Sequence, residues 1–366
     1  MTQYIWQSSS WPRFQWDSAT LLLPLGKARR AQGEILGKAA YFELKTAADV
    51  LTEEALATAA IEGEKLNRDS IHASVVRQLG LPTIGLPTIE RHSDGLVKML
   101  IEATRRHDSP LAVARLKSWQ AALFPYGYSG LQKIAVGSFR RGNISLPVVS
   151  EPISGKKIPY QAPPAQILRT EIKRFLDWFD SPPGGLDGLV RAAIAHFWFV
   201  SIHPFQDGNG RIARAIADMA LAQDERKNVR LYSMSAQIMT ERDGYYLVLD
   251  KTLKEGGDLT LWIVWFLECL ERAVRRSNKE MQKSMDRARR WQQFSLLELN
   301  NRQREVIRQL FEAGPGEFQC GLTNLKYRGI TKTTRETAKR DMADLVAKRI
   351  LVKNTVRGRS SSYDLV

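Results

Sequence analysis

Twelve residues, His203-Pro-Phe-Gln-Asp-Gly-Asn-Gly-Arg-Ile-Ala-Arg214, separate two long apolar runs, Ala192 to Ile202 and Ile212 to Leu221. Runs of that length and composition read as helices. The stretch between them is therefore a helix–loop–helix junction whose loop enters the N-terminus of the second helix, and the rest of the chain must pack around it. Gly208 and Gly210 flank Asn209, so the backbone can curl and turn several N–H groups toward one point. Such a nest at a helix start is suited to an anion. Arg211 and Arg214 are three apart and share one side of the helix. Asp207 offers a hard oxygen ligand to a Mg²⁺ that also takes phosphate oxygens. His203 carries a group that ordinarily titrates near neutrality, the usual choice for a general base. Base, metal ligand, anion nest and two guanidiniums in twelve residues describe a site for a nucleotide phosphate.

The stretch resembles, at every defining position, the signature of the Fic family, H-P-F-x-[D/E]-G-N-G-R-x-x-R. The resemblance implies a mainly α protein: a Fic-type helical core with a β-hairpin flap, followed by a winged-helix domain. It also implies protein adenylyltransferase activity, with ATP and Mg²⁺ as cofactors. The phosphates would lie in the Gly208-Asn209-Gly210 nest and Asp207 would hold Mg²⁺. His203 would take the proton of a target Ser, Thr or Tyr hydroxyl. Asn209 would stabilise charge on the reacting phosphate, Arg211 would steady the phosphates and Arg214 would take the γ-phosphate, with Phe205 anchoring the loop. Tyr245 and Tyr246 fall where the family lines its adenine pocket, and either stacking on a purine or packing suits them.

Residues 52–79 have a helical pattern that contains Thr58-Ala-Ala-Ile-Glu62-Gly63. A glycine inside a helix costs about 1 kcal/mol relative to alanine, so a close approach is expected at Gly63. The segment resembles the inhibitory motif [S/T]-x-x-x-E-[G/N] of Fic proteins, which implies that Glu62 pairs with Arg214 and spoils the nucleotide pose. In some such proteins the glutamate also positions a water that removes AMP, so deAMPylation is a second expectation.

Residues 137–162 are rich in Gly, Pro and β-branched side chains. Leu146 to Glu151 and Lys157 to Tyr160, joined at Ser154-Gly155, read as a hairpin. It resembles the Fic flap, which holds a target segment as an added strand; Leu146, Val148 and Val149 are the docking residues. Pro163-Pro164 should then open an amphipathic helix through Phe179. Ahead of all this, residues 1–50 read as a small N-terminal domain, a hairpin carrying Tyr4, Trp6, Trp11, Phe14 and Trp16 followed by a helix over 18–44. Residues 51–295 form the expected core. Residues 296–366 read as three helices and two strands, a winged helix that contacts DNA through the helix opened by Thr331–Arg335, or contacts protein.

The formal charge of +15 calls for an acidic partner: a nucleotide, a nucleic acid or an acidic protein surface. Cys269 and Cys320 give neither a disulfide framework nor a metal pattern. With no apolar leader and no run near the ~20 residues of a membrane span, the expectation is a cytoplasmic protein without membrane contact. Its partners would be ATP and a target protein, and the resemblance adds homodimerisation. A reading from another class is a DNA-binding regulator whose core only senses a ligand; the basic C-terminal region motivates it.

Overall fold

The computed structural model describes residues 4–41, 44–141, 146–147, 159–254, 256–295, 297–312, 321–354 and 361–365. The chain is mainly helical and divides into two units, residues 1–278 and 279–366. In the first unit the helices are α1 (Ser18–Gly37), α2 (Leu44–Ile61), α3 (Arg68–Leu79), α4 (Arg91–Arg105) and α5 (Val113–Leu123). Two short antiparallel pairs follow, β1 (Tyr128–Ser129) with β2 (Gln132–Lys133) and β3 (Leu146–Pro147) with β4 (Pro159–Tyr160). Then come α6 (Leu168–Asp180), α7 (Gly188–Ile202), α8 (Asn209–Glu225), α9 (Met234–Thr240), α10 (Arg242–Leu253) and α11 (Thr260–Ser295). The last of these crosses the unit boundary. No helix among the described residues is long and apolar enough to cross a membrane.

The core is built on α7 and α8, the most extensively packed helix pair among the described residues. From Leu189 to Ile202 every residue of α7 except Arg191 is buried, as expected of a helix that is apolar all round. Asp187 caps α7 through the amides of Leu189 and Val190. Asp258 does the same for α11 through the amide of Thr260. Cys269 is a buried free thiol.

Several elements differ from the sequence expectation: α1 ends at Gly37, short of the expected residue 44, and Leu44 opens α2. Residues 4–16 form no hairpin: Ile5–Gln7 is a turn of 3₁₀ helix, and Gln15 pairs instead with the backbone of Gly257 and Leu259 at 3.0 and 2.8 Å. The aromatics gain more burial against the core than against one another. Trp11 donates to Glu171 Oε2 at 2.7 Å, and Trp11 and Phe14 meet Trp198 edge-on.

The 52–79 helix is two helices, α2 and α3. Gly63 has φ +84°, and the amides of Glu62, Gly63 and Glu64 fold back onto the carbonyls of Ala59 and Ala60. That is a helix C-terminus closed by a left-handed glycine. A side chain at Gly63 would meet nothing within 4 Å, so the glycine serves the turn and not a close approach. Asn67 then caps α3.

The helix after Pro163-Pro164 begins at Leu168, after a turn in which the amides of Ile167 and Leu168 donate to the carbonyls of Pro164 and Ala165. Of the hairpin at 146–160, Leu146 pairs with Tyr160 and Pro147 with Pro159. Val148, Val149 and the Ser154-Gly155 turn lie outside the described residues.

The second unit contains α12 (Asn301–Glu312), β5 (Leu322–Thr323), α13 (Asn324–Thr331), α14 (Arg335–Ala347), β6 (Leu351–Lys353) and β7 (Ser362–Leu365). Its sheet has the antiparallel order β5-β7-β6. Val306, Leu322, Tyr327, Met342 and Ile350 are in its core. The Tyr327 hydroxyl donates to Asp341, which Arg302 also holds at 2.8 Å.

Candidate active site

His203 ends α7 in a left-handed conformation, φ 48°. That conformation is uncommon for a residue with a Cβ and costs about 1 kcal/mol or more, so the surroundings must hold it. Arg140 does so: its Nε donates to the His203 carbonyl at 2.8 Å and its amide to the Pro204 carbonyl at 2.9 Å. Phe205 is fully buried between Phe139 and Phe199. Burial and the Arg140 charge push the His203 pKa down to about 4, against the opposing pull of the Val200 carbonyl and Glu62. The imidazole is therefore neutral near pH 7 and able to accept a proton.

Gly208, φ +88°, stands at the N-cap of α8. A Cβ there would press on Phe124 and Leu123 at 3.0 and 3.1 Å. Asn209 braces the loop across its base: Oδ1 accepts from the Phe205 amide and Nδ2 donates to the Phe205 carbonyl, both at 2.9 Å. The side chain expected to stabilise charge on a reacting phosphate thus bonds Phe205 through Oδ1 and one of its two Nδ2 hydrogens. Asp207 is half-buried; Oδ1 accepts from the Gly208 amide at 2.6 Å and Oδ2 from the Ser129 hydroxyl.

The first turn of α8 faces the end of α2. Glu62 Oε1 lies where a Cβ on Gly210 would be only 2.2 Å away, so the carboxylate rests directly on the glycine. Arg214, 2% exposed, donates to Glu62 Oε1 at 2.8 Å, to Thr58 Oγ1 at 2.7 Å and to the Thr58 carbonyl at 2.9 Å. Burial works against the Arg214 charge; Glu62, with Tyr245 and Tyr246, outweighs it and raises the pKa. An anionic oxygen thus occupies the helix start beside a guanidinium, the setting that nest and dipole favour.

Arg211 is equally buried and donates from Nη1 to both Glu64 oxygens at 2.8 Å, with its guanidinium over the Phe124 ring at 5.0 Å. Glu64 also meets His92 Nε2 at 3.2 Å. Burial raises the Glu64 pKa, but His92 and Arg211 outweigh that and hold it below the ordinary value. Glu64, His92, Ser129 and Arg140 were not singled out from the sequence. The nearest signal was the second acidic residue in Glu62-Gly-Glu64.

Tyr245 and Tyr246 are interior residues, the packing arrangement of the two that suited them. The Tyr245 hydroxyl meets His196 Nε2 at 3.2 Å and its ring packs on Trp262 and Trp265. The Tyr246 hydroxyl donates to the Ile61 carbonyl at 3.1 Å. His196 stacks on Trp262, and burial, then the Arg214 charge, lower its pKa to about 3. It is a core histidine.

Residues 110–221 match the model of the Fic/DOC family, and residues 4–81 match a domain of unknown function (DUF4172). The chain carries a Fic domain. The protein adenylyltransferase fic-1 of Caenorhabditis elegans is 31% identical over 122 residues, 33% of this chain and 22% of that protein. The protein adenylyltransferase Fic of Nematostella vectensis is 32% identical, over 31% of this chain and 25% of its own length. The chain therefore spans about a quarter of the curated relatives that its Fic domain resembles. A Fic family protein from Desulfovibrio desulfuricans shares the fold at TM-score 0.55 and 18% identity, over 96% of this chain and 97% of that one.

At the start of α8 a carboxylate oxygen of Glu62 rests against Gly210 with the Arg214 guanidinium beside it, while the equally buried Arg211 is held by Glu64. Among the described residues no group of three or more His, Cys, Asp or Glu side chains is placed to hold a metal by itself. Asp207 is a single carboxylate at the mouth of the nest, which fits an ion that completes its shell with phosphate oxygens and water.

Proposed function

We propose that the chain is a protein adenylyltransferase that transfers AMP from ATP to a Ser, Thr or Tyr hydroxyl of a target protein, releases pyrophosphate, and is restrained by Glu62. The observation that carries this reading is the Glu62 carboxylate on Gly210 against Arg214, an anion in the position suited to a terminal phosphate. The two relatives named as adenylyltransferases support it over the portion they share.

In this reading the ATP phosphates lie along the nest and the γ-phosphate takes the place of the Glu62 carboxylate on Arg214. Neutral His203 accepts the proton of the target hydroxyl as its oxygen bonds to the α-phosphorus. The bond from that phosphorus to the bridging oxygen breaks, and pyrophosphate leaves. Arg211 and the amides of the first turn of α8 stabilise the charge that develops. Asn209 acts through Phe205 by fixing the loop. Mg²⁺, held by Asp207 and phosphate oxygens, would supply charge neutralisation. The β3/β4 hairpin offers strand edges to a target segment.

The second unit reads as a winged helix whose α14 is available to DNA or to a protein. We take residues 1–50, 51–295 and 296–366 as the functional divisions.

The test is intact-mass analysis of wild type and Glu62→Gly after incubation with ATP and Mg²⁺ in a lysate. AMP adducts on the variant chain or on lysate proteins are expected. Their absence from both, with both folded, contradicts the proposal.

A further inference from the structure

Beside the site, α5, α6 and residues 138–141 enclose a cleft of about 850 Å³. Lys117, Arg140, Arg141, Arg169 and Lys173 line it, against a single carboxylate, Asp177, which pairs with Lys173 at 2.5 Å. Lys117 is fixed over the Phe139 ring at 5.2 Å. Arg140 is the unusual member. It is 2% exposed, its guanidinium donates to the carbonyls of His203, Pro163 and Ile202, and its Nη1 has no partner among the described residues. A buried guanidinium without a counter-charge is costly, and this one borders an open basic cleft.

The cleft walls are also the roots of the hairpin. Arg141 lies five residues before Leu146 of β3, and Ala165 lies five residues after Tyr160 of β4. Phe139, Ile172 and Leu176 line the cleft between the cations. On α6 the apolar row Leu168, Ile172 and Leu176 runs beside the row that carries Arg169 and Lys173, which suits a strand whose side chains alternate apolar and acidic, and a bare phosphate would leave the apolar wall uncovered.

We propose that this cleft is a docking site for an acidic, apolar-interspersed segment of the target protein, a proposal that rests on the transferase reading above. A carboxylate of that segment supplies the counter-charge that Arg140 lacks among the described residues. Because Arg140 holds the His203 carbonyl, docking reaches the catalytic loop through one side chain.

The probe is a fluorescein-labelled peptide of alternating glutamate and leucine, followed by anisotropy. Saturable binding to the full chain is expected, weakened about tenfold or more by Lys117→Glu/Arg169→Glu. Lys339→Glu/Arg340→Glu, an equal change of charge in the second unit, is expected to leave it unaltered. Equal thermal melts establish that the variants fold, and Arg141→Glu/Lys173→Glu on exposed residues serves if the first pair does not. His203→Ala should bind the peptide as wild type does, so loss of AMP transfer and loss of docking are separable. Absence of saturable binding, equal weakening by both charge reversals, or equal displacement by inorganic phosphate or a DNA duplex would overturn the proposal.

Discussion

Arg211 and Glu64 form a two-point contact, with one guanidinium nitrogen 2.8 Å from each carboxylate oxygen. Glu62 and Glu64, on either side of Gly63, thus hold the two signature arginines separately, Arg214 and Arg211. The turn after α2 delivers both carboxylates, one to each arginine.

From this, Glu64→Ala in a Glu62→Gly background should lower the KM for ATP by roughly three- to tenfold, the equivalent of about 1 kcal/mol for one partly exposed ion pair. Steady-state kinetics over a range of ATP concentrations checks it. A raised KM would mean instead that Glu64 orients Arg211 for the phosphate.

Removing Glu62 leaves Arg214 buried without its carboxylate, although its two contacts with Thr58 remain. Breaking such a pair costs about 3 kcal/mol or more, so Glu62→Gly should melt at a lower temperature than wild type. ATP should recover much of that loss, because a phosphate replaces the missing charge, and should shift the wild-type melt less. Equal ATP-induced shifts in both chains would separate Glu62 from the nucleotide site.

Burial and Arg140 hold the His203 pKa near 4, and the base works in its neutral form. Protonation below that pKa removes it, so the acid limb of kcat/KM for Glu62→Gly should fall near or below pH 4, not near 6.5. Glu62 itself raises this pKa, so the variant should move the limb down. A limb near 6.5 would assign the titration to another group or leave His203 solvated.

Asp218, one turn beyond Arg214, has its pKa raised to about 8 by burial and by Glu54 of α2, against Arg230, with Glu225 adding to the rise and Arg214 opposing it. Between the ordinary carboxylate value near 3.9 and 8, the folded chain keeps a proton that the unfolded chain has lost. This group's contribution to stability is full below that window and is lost as pH rises through it. Asp218→Asn should therefore reduce the fall in melting temperature between pH 5 and pH 8. An unchanged difference would mean that Asp218 is ionised in the fold.

The elements that the sequence made legible were those with a strong local code. The apolar run of α7 and the glycines around Asn209 each determine their backbone without help from distant residues. What was not legible depended on partners far along the chain. Arg140 is recognisable only once its guanidinium meets the carbonyl of His203, 63 residues later. Glu64 becomes significant only when α8 brings Arg211 to it. The aromatics of residues 4–16 alternate as a hairpin would, but Trp198 and Glu171 offered them better burial than a partner strand. Gly63 was read as a helix interior because periodicity continues across it, whereas its positive φ ends α2 and turns Glu62 onto Gly210. Tyr245 and Tyr246 carry no local sign of which face of α10 is covered.

The central claim is that the loop after α7 directs attack on the α-phosphorus. The most direct measurement incubates Glu62→Gly with a lysate and Mg²⁺, using ATP labelled in the α-phosphate in one arm and in the γ-phosphate in the other. Above the label that the lysate alone incorporates, protein-bound label is expected from the α-position only, abolished by adding His203→Ala. Added label from the γ-position, or added α-label that survives His203→Ala, would contradict this.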